Sequence, residues 1–241
     1  IGTPKFLPAN TLSNKYSAAS WIEVAPSVFT VKSRQKQQLD YSIHVPLNAR
    51  PGGHYAAVIY APTAGLKVEG TGATINTEVG SLFYITVNGQ ILENSLVSKF
   101  FTNPFQEYGP VKISAQIKNL GDLHVTPKAT ITVSGLFYNK SQTLPTHNIF
   151  PEAARDFENT FGQTWMIGRY KAVLTGSYGE SNKPLVASVY FWVFPWRVTL
   201  IIILAIIALI LAGLYLRKRR KDKHEESQEA VNATTNKTPY P

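Results

Sequence analysis

The sequence predicts an all-β protein: two Ig-like antiparallel β-sandwich modules followed by a single transmembrane α-helix. Three observations carry this. Apolar and polar residues alternate with period two over much of the stretch from Trp21 to Val193. Turn sequences punctuate that alternation at short intervals. The run "VYFWVFPWRVTLIIILAIIALILAGLYLRKRRKDK" then abandons it, with no charge and no proline from Val198 to Leu216.

Residues 1–15 are polar, proline-containing and weakly patterned, and are expected to be a loop or the remnant of further strands. The first module is expected over 16–100. In "LDYSIHV", Leu39, Tyr41, Ile43 and Val45 alternate with Asp40, Ser42 and His44, as in a strand with one buried face. "NARPGG" at 48–53 and "VNGQ" at 87–90 are turns. The glycine-spaced "EGTGATINTEVG" at 69–80 lacks the phosphate-loop spacing and reads as a loop between strands.

"KFFTNPFQEYGP" breaks the pattern with two prolines, which places a boundary near 99–106 and a second module at 104–195. In "VKISAQIKNLG", Val111, Ile113, Ala115 and Ile117 share a face. In "ATITVSGLF", Ala129, Ile131, Val133 and Phe137 do the same. "NLGD" at 119–122 is a turn between them. "PEAARDFENTF" at 151–161 has poor apolar spacing and at most a helical turn is expected there. Each module is near the length of an Ig-like sandwich, about 100 residues.

As a helix, residues 198–216 would be about 28 Å long, close to a hydrocarbon core of about 30 Å. Trp192 and Trp196 precede the span, where amphipathic rings suit the interface. Arg217, Lys218, Arg219, Arg220 and Lys221 follow it, and this basic block marks the cytoplasmic side. The expected location is therefore a cell membrane crossed once, with the N-terminal region outside. Residues 217–241 begin basic and continue poor in large apolar side chains, so the tail is expected to be disordered.

The net charge of +9 belongs in part to that block and fits contact with anionic lipid. No motif for reading RNA or DNA accompanies it, so nucleic acid is not an expected partner. The chain has no cysteine, whereas a secreted animal Ig domain usually carries a disulfide; this leans towards a bacterial or archaeal surface protein. The chain starts at Ile1 without a visible export sequence, so a processed chain or a fragment is expected.

Catalytic motifs are missing. There is no G-x-S-x-G elbow and no H-E-x-x-H helix. His44, His54, His124, His147 and His224 are scattered without ligand spacing, so neither a metal nor a cofactor is expected. His54, after Gly52 and Gly53, reads as a residue tying a turn through a ring hydrogen bond. Glu152, Asp156 and Glu158, with Arg155 among them, read as a solvated surface rather than an acid–base pair. Aromatic residues are the better pointers to binding: Trp21, Tyr55, Tyr60, Trp165 and Tyr178 are candidates, several of them competing with a place in the core.

Three stretches together resemble a known family. Residues 21–60, "WIEVAPSVFTVKSRQKQQLDYSIHVPLNARPGGHYAAVIY", are similar to the latter part of the peptidoglycan-binding domain of WxL-interacting surface proteins of Gram-positive bacteria. The matching elements would be strands at Val28–Lys32, Leu39–Pro46 and His54–Ala61, with the glycine turn at Pro51–Gly53. Residues 119–137 and 149–179 resemble the second Ig-like domain of such proteins, where a proline-marked stretch precedes a strand opening G-x-Y. Here these are Pro151, then Gly168, Arg169 and Tyr170. The resemblance, to this family or to a related bacterial surface protein, implies a non-enzymatic surface protein binding peptidoglycan or a partner surface protein. A different function, an assembly or export factor capturing a partner strand at a sheet edge, follows if the first module lacks strands.

Overall fold

The computed structural model describes residues 14–62, 66–67, 74–75 and 78–235. It is mostly β, with one long apolar helix at its C-terminal end. Residues 1–13 and most of the 69–80 loop lie outside the described residues.

The N-terminal region pairs its strands two by two. A single 3-10 turn at Ala19–Trp21 leads into β1 (Ile22–Ala25), which pairs antiparallel with β2 (Asp40–Ile43). β3 (Gly52–Tyr60) pairs over nine residues with β6 (Val79–Val87), and β4 (Leu66–Lys67) with β5 (Thr74–Ile75). Among the described residues, the buried hydrophobic ones here are Tyr16, Ala18 and Trp21. No strand forms at Val28–Lys32: the chain turns at Pro26, and Val28 and Val31 stay exposed, without the ladder partner a strand requires. The turns expected at 48–53 and 87–90 lie where the sequence places them, bounding β3 and β6.

The rest of the β region forms two larger sheets. One has three strands in the order β12 (Ala154–Phe161), β9 (Val111–Asn119), β7 (Ser95–Phe101). The other has five, in the order β11 (Tyr138–Thr143), β10 (Lys128–Gly135), β13 (Gly168–Tyr178), β14 (Lys183–Val193), β8 (Phe105–Gln106). All pairings are antiparallel except the short parallel match of β8 with β14. Both sheets contribute to one core. Val111, Ile113, Ala115 and Ile117 come from β9, Ala129, Ile131 and Val133 from β10, and Phe157 and Phe161 from β12. Tyr170, Ala172 and Leu174 of β13 join Leu185, Phe191 and Val193 of β14. Period-two burial along β9 and β10 is what the alternation predicts.

Several expectations are corrected. Phe137 does not share the face of Ile131: β10 ends at Gly135 and Phe137 sits in the hairpin turn, exposed. Residues 154–161 form a strand rather than a helical turn. Its inward positions include Arg155 and Asn159 beside Phe157 and Phe161, and the polar pair masks the alternation. The pairing of β7 with β9 crosses the boundary expected near 99–106.

The helix α1 runs from Trp196 to Thr235, well past the span. The tail to Thr235 is thus helical, not disordered; residues 236–241 lie outside the described residues. The physical reason is that Lys, Arg, Glu, Gln and Ala dominate it, and these propagate a helix whose nucleus the span already supplies.

Candidate functional site: an anchored end, a polar junction and a distal cleft

β14 ends at Val193, just before Phe194-Pro195, because proline cannot donate to the ladder and pushes the residue before it away from helix. α1 begins at once, and Thr199 donates both N–H and Oγ1–H to the Pro195 carbonyl. Residues Trp196–Arg220 make a helix long and apolar enough to cross a membrane, and none of that span is buried. The sequence-predicted anchor residues fall around it. Trp192 lies on the outer face of β14 opposite Arg169. Trp196 opens α1, with Arg197 over its ring at 5.4 Å. Arg217, Lys218, Arg219 and Arg220 close the span, and Lys221 continues the helix.

A junction forms where β3 and β6 meet the turn after β9. The Arg50 guanidinium donates to Asp122 Oδ1 at 2.7 Å and lies over the Tyr16 ring at 4.7 Å. That hydrogen bond holds the Asp122 carboxyl below its ordinary range. The Asp122 backbone accepts from Gly53 N and donates to the Leu92 carbonyl, both at 2.8 Å. Gly53 can approach that closely because it has no Cβ; one would strike the Tyr55 ring.

His54 is buried against Trp21, its Nε2–H donating to the Arg50 carbonyl at 2.8 Å. The turn-tying role read from the sequence is what the geometry contains. The Tyr55 hydroxyl accepts the backbone N–H of His124 at 2.8 Å and lies 3.2 Å from its Nδ1. Burial pushes the Tyr55 phenol up to about 12 and lowers the His124 imidazole. Tyr84 stacks on Phe150, and Tyr55 meets Phe150 edge-on.

Two pH limbs follow. His124 has a lowered folded pKa, so below about 6.5 the unfolded chain takes a proton that the junction resists. Stability is therefore expected to fall as pH drops from about 6.5. Asp122, also lowered, adds stability that is present above about 3.9 and lost below it. Its pair with Arg50 is partly exposed, so this second limb is at most about 1 kcal/mol. Melting of the full chain against pH checks both: His124→Gln should flatten the upper limb and leave the lower one.

At the far end of β14 from α1 lies a shallow cleft of about 350 Å³. Glu93 joins its walls, accepting the Glu180 N–H at Oε1 (3.1 Å) and the Lys183 ammonium at its carbonyl (2.7 Å). Thr86, Asn88 and Ile91 complete the rim. Among the described residues no group of His, Cys, Asp and Glu could hold a metal.

The five aromatic candidates separate. Tyr178 is core and Trp21 is packed under His54. Tyr55 belongs to the junction. Tyr60 is half-buried, its hydroxyl 2.7 Å from that of Tyr41. Trp165 is exposed. The acidic cluster is dispersed: Glu152 pairs with Lys15, Glu158 with Lys112 at 2.7 Å, and Asp156 accepts from Gln116 at 2.8 Å. The sequence does not single out Arg50 and Asp122, and His124 reads there only as one of five scattered histidines. Only the glycine turns at Gly52-Gly53 and "NLGD" hinted at close backbone approaches there.

No family model and no curated protein matches the chain. One similar solved structure is the Pseudomonas fluorescens alkylpurine DNA glycosylase AlkC bound to DNA containing an abasic-site analogue. The likeness has a TM-score of 0.33 at 10% identity and covers 42% of this chain and 30% of that one. The expectation that nucleic acid is not a partner, made from missing motifs, is withdrawn on physical grounds: cations contact phosphate backbones without any reading motif. At this TM-score the likeness itself carries no argument.

Proposed function

We propose that the chain is a single-pass membrane protein that displays its β region outside the cell to bind a cell-wall polymer or a partner surface protein, without catalysis. The observation that carries this is the division of uncovered apolar surface. One part is α1, which leaves the end of β14 with no side chain of its span buried. The other is the N-terminal layer, where Ile43, Val45, Ile59, Val79, Leu82 and Tyr84 are exposed on and beside paired strands. Of these, Ile59, Leu82 and Tyr84 share one face of the β3–β6 pair and Val79 lies on the other, and exposed apolar groups gathered on one face mark interaction sites. The basic block after the span supports an inside tail and an outside β region.

For the β region the proposal keeps the two Ig-like modules read from the sequence. Five- and three-stranded sheets around one core support a sandwich over 95–193, and β13 opens at Gly168-Arg169-Tyr170 as the WxL-interacting resemblance implies. That resemblance supplies the class of ligand, peptidoglycan or a surface protein. A second reading has its own observation. Among the described residues β6 pairs only with β3 and its other edge, nine residues long, has no partner strand, the arrangement that strand capture would use.

A photo-crosslinking residue at Leu82, in the full chain in intact cells, tests both. Adducts with wall material or a surface protein are expected, along with co-sedimentation of the solubilised full chain with purified wall. Adducts with a secreted client's backbone segment would favour strand capture. Neither adduct nor co-sedimentation would remove the binding reading.

A further inference from the structure

We infer that the end of the β region nearest α1 is itself a lipid-contact surface, so that the domain rests on the outer leaflet instead of swinging above it. This rests on α1 spanning the membrane.

Strand register gathers a set of apolar residues at that end. Gly168 pairs with Val193, the last residue of β14, so Trp165 and Ile167 lie beside the exit to α1. Ser134 pairs with Lys171, which puts the next turn, Leu136-Phe137, at the same end. Phe105 pairs with Trp192 there. None of these side chains is covered. Leu136 is 83% exposed, Phe137 94%, Trp165 66% and Ile167 63%.

The opposite end of the same sheet is different. Its β13–β14 hairpin reads Gly179, Glu180, Ser181, Asn182. That is ordinary turn chemistry, whereas Leu-Phe in a two-residue hairpin turn is not. Beyond the edge contact of Trp165 with Tyr108 at 5.6 Å, these exposed aromatic and branched residues bury little in the fold, and their concentration at one end points to an apolar environment outside the protein.

The chain fixes which environment. Only Phe194 and Pro195 separate Val193 from Trp196, a reach of at most about 11 Å. The tips are thus tethered within contact distance of the bilayer that α1 enters. Two cations lie at the same end, Arg169 opposite Trp192 on the sheet and Arg197 in the first turn of α1. Arg169 lies 4.5 Å from the Tyr190 ring centroid, and Arg197 bridges to Glu107 at 3.5 Å. Apolar tips backed by aromatic rings and basic side chains fit the acyl–headgroup boundary.

The absence of cysteine allows a direct test in the full chain. Chains carrying Phe137→Cys, Ile167→Cys, Ser181→Cys or Ile206→Cys would each hold an environment-sensitive fluorophore at the new thiol. Each protein would be reconstituted into phosphatidylcholine–phosphatidylglycerol vesicles holding a shallow or a deep quencher lipid. The label at 206 should be quenched by the deep probe. Labels at 137 and 167 should shift to shorter wavelength and be quenched by the shallow probe, and that at 181 should do neither. If 206 responds while 137 and 167 behave like 181, the inference is overturned and the span stands. If 206 stays silent, the span fails and takes the inference with it. Equal response at 181 would mean that the domain lies on its side, which also overturns it.

Discussion

Replacing Asn119 with alanine is expected to destabilise the β region by about 3 to 5 kcal/mol. Asn119 is fully buried at the end of β9. Its Nδ2 donates to the carbonyls of Leu123 (2.8 Å) and Ile149 (2.9 Å), and its Oδ1 accepts the Gly121 N–H at 2.9 Å. Alanine removes all three bonds and supplies no replacement, and each buried group so deprived costs about 1 to 3 kcal/mol. The Ile149 carbonyl keeps its bond from Val125 N, which places the sum below the maximum.

The effect should spread beyond the core. The turn that Asn119 closes carries Asp122 and His124, and through them the contacts to Arg50, Gly53 and Tyr55. Denaturation of the full chain in detergent should give the loss of stability. Hydrogen exchange should show the amides of Gly53 and His124 opening earlier than those of β13. An Asn119→Ala chain as stable as the parent, with the junction amides still protected, would show that the side chain closes nothing the fold depends on.

Exchanging Arg217, Lys218, Arg219 and Arg220 for glutamate is expected to mix or abolish the orientation of the span. The four cations follow directly on the apolar run of α1. On the proposed single-pass reading they supply the positive-inside bias and an attraction of roughly 1 kcal/mol each to anionic lipid. Glutamate replaces attraction with repulsion at every position, so the effect of four changes is large against the small margin that sets topology. In the parent chain, protease added to intact cells should remove the β region and spare a reporter on the tail. In the variant, the reporter should be cut in a sizeable fraction of molecules, or the protein should leave the membrane on carbonate extraction. An unchanged protection pattern would mean that export of the β region alone sets orientation.

Some elements were legible because they are properties of contiguous residues. The alternation at Val111–Ile117 and Ala129–Val133 translated directly into buried faces. Gly168 opened a strand, and the turns at 48–53, 87–90 and 119–122 fell as read. Elements that depend on a partner were not legible. Val28–Lys32 has strand-like residues but, among the described residues, no ladder partner. Ala154–Phe161 pairs along its whole length with β9, although Arg155 and Asn159 sit on its inner face. There Arg155 donates to the Asn148 carbonyl and Asn159 to Gln142 Oε1, bonds that make polar residues acceptable inward. The helical tail was missed for a related reason: poverty in apolar residues argues against a packed core, but a helix already nucleated needs none.

By itself, then, the sequence determined the period of the strands, the sites of the turns, and an apolar span with its basic stop. These follow from side-chain chemistry within a few residues. Tertiary structure alone decided that Arg50 meets Asp122 across 72 residues, that Tyr55 meets His124 across 69, and that β7 joins the sheet of β9. It also decided that the turns at 136–137 and 165–167 share an end with the root of α1. Such contacts are set by strand order and register. Many pairings satisfy the same alternation, and only simultaneous burial of one face of every strand selects among them.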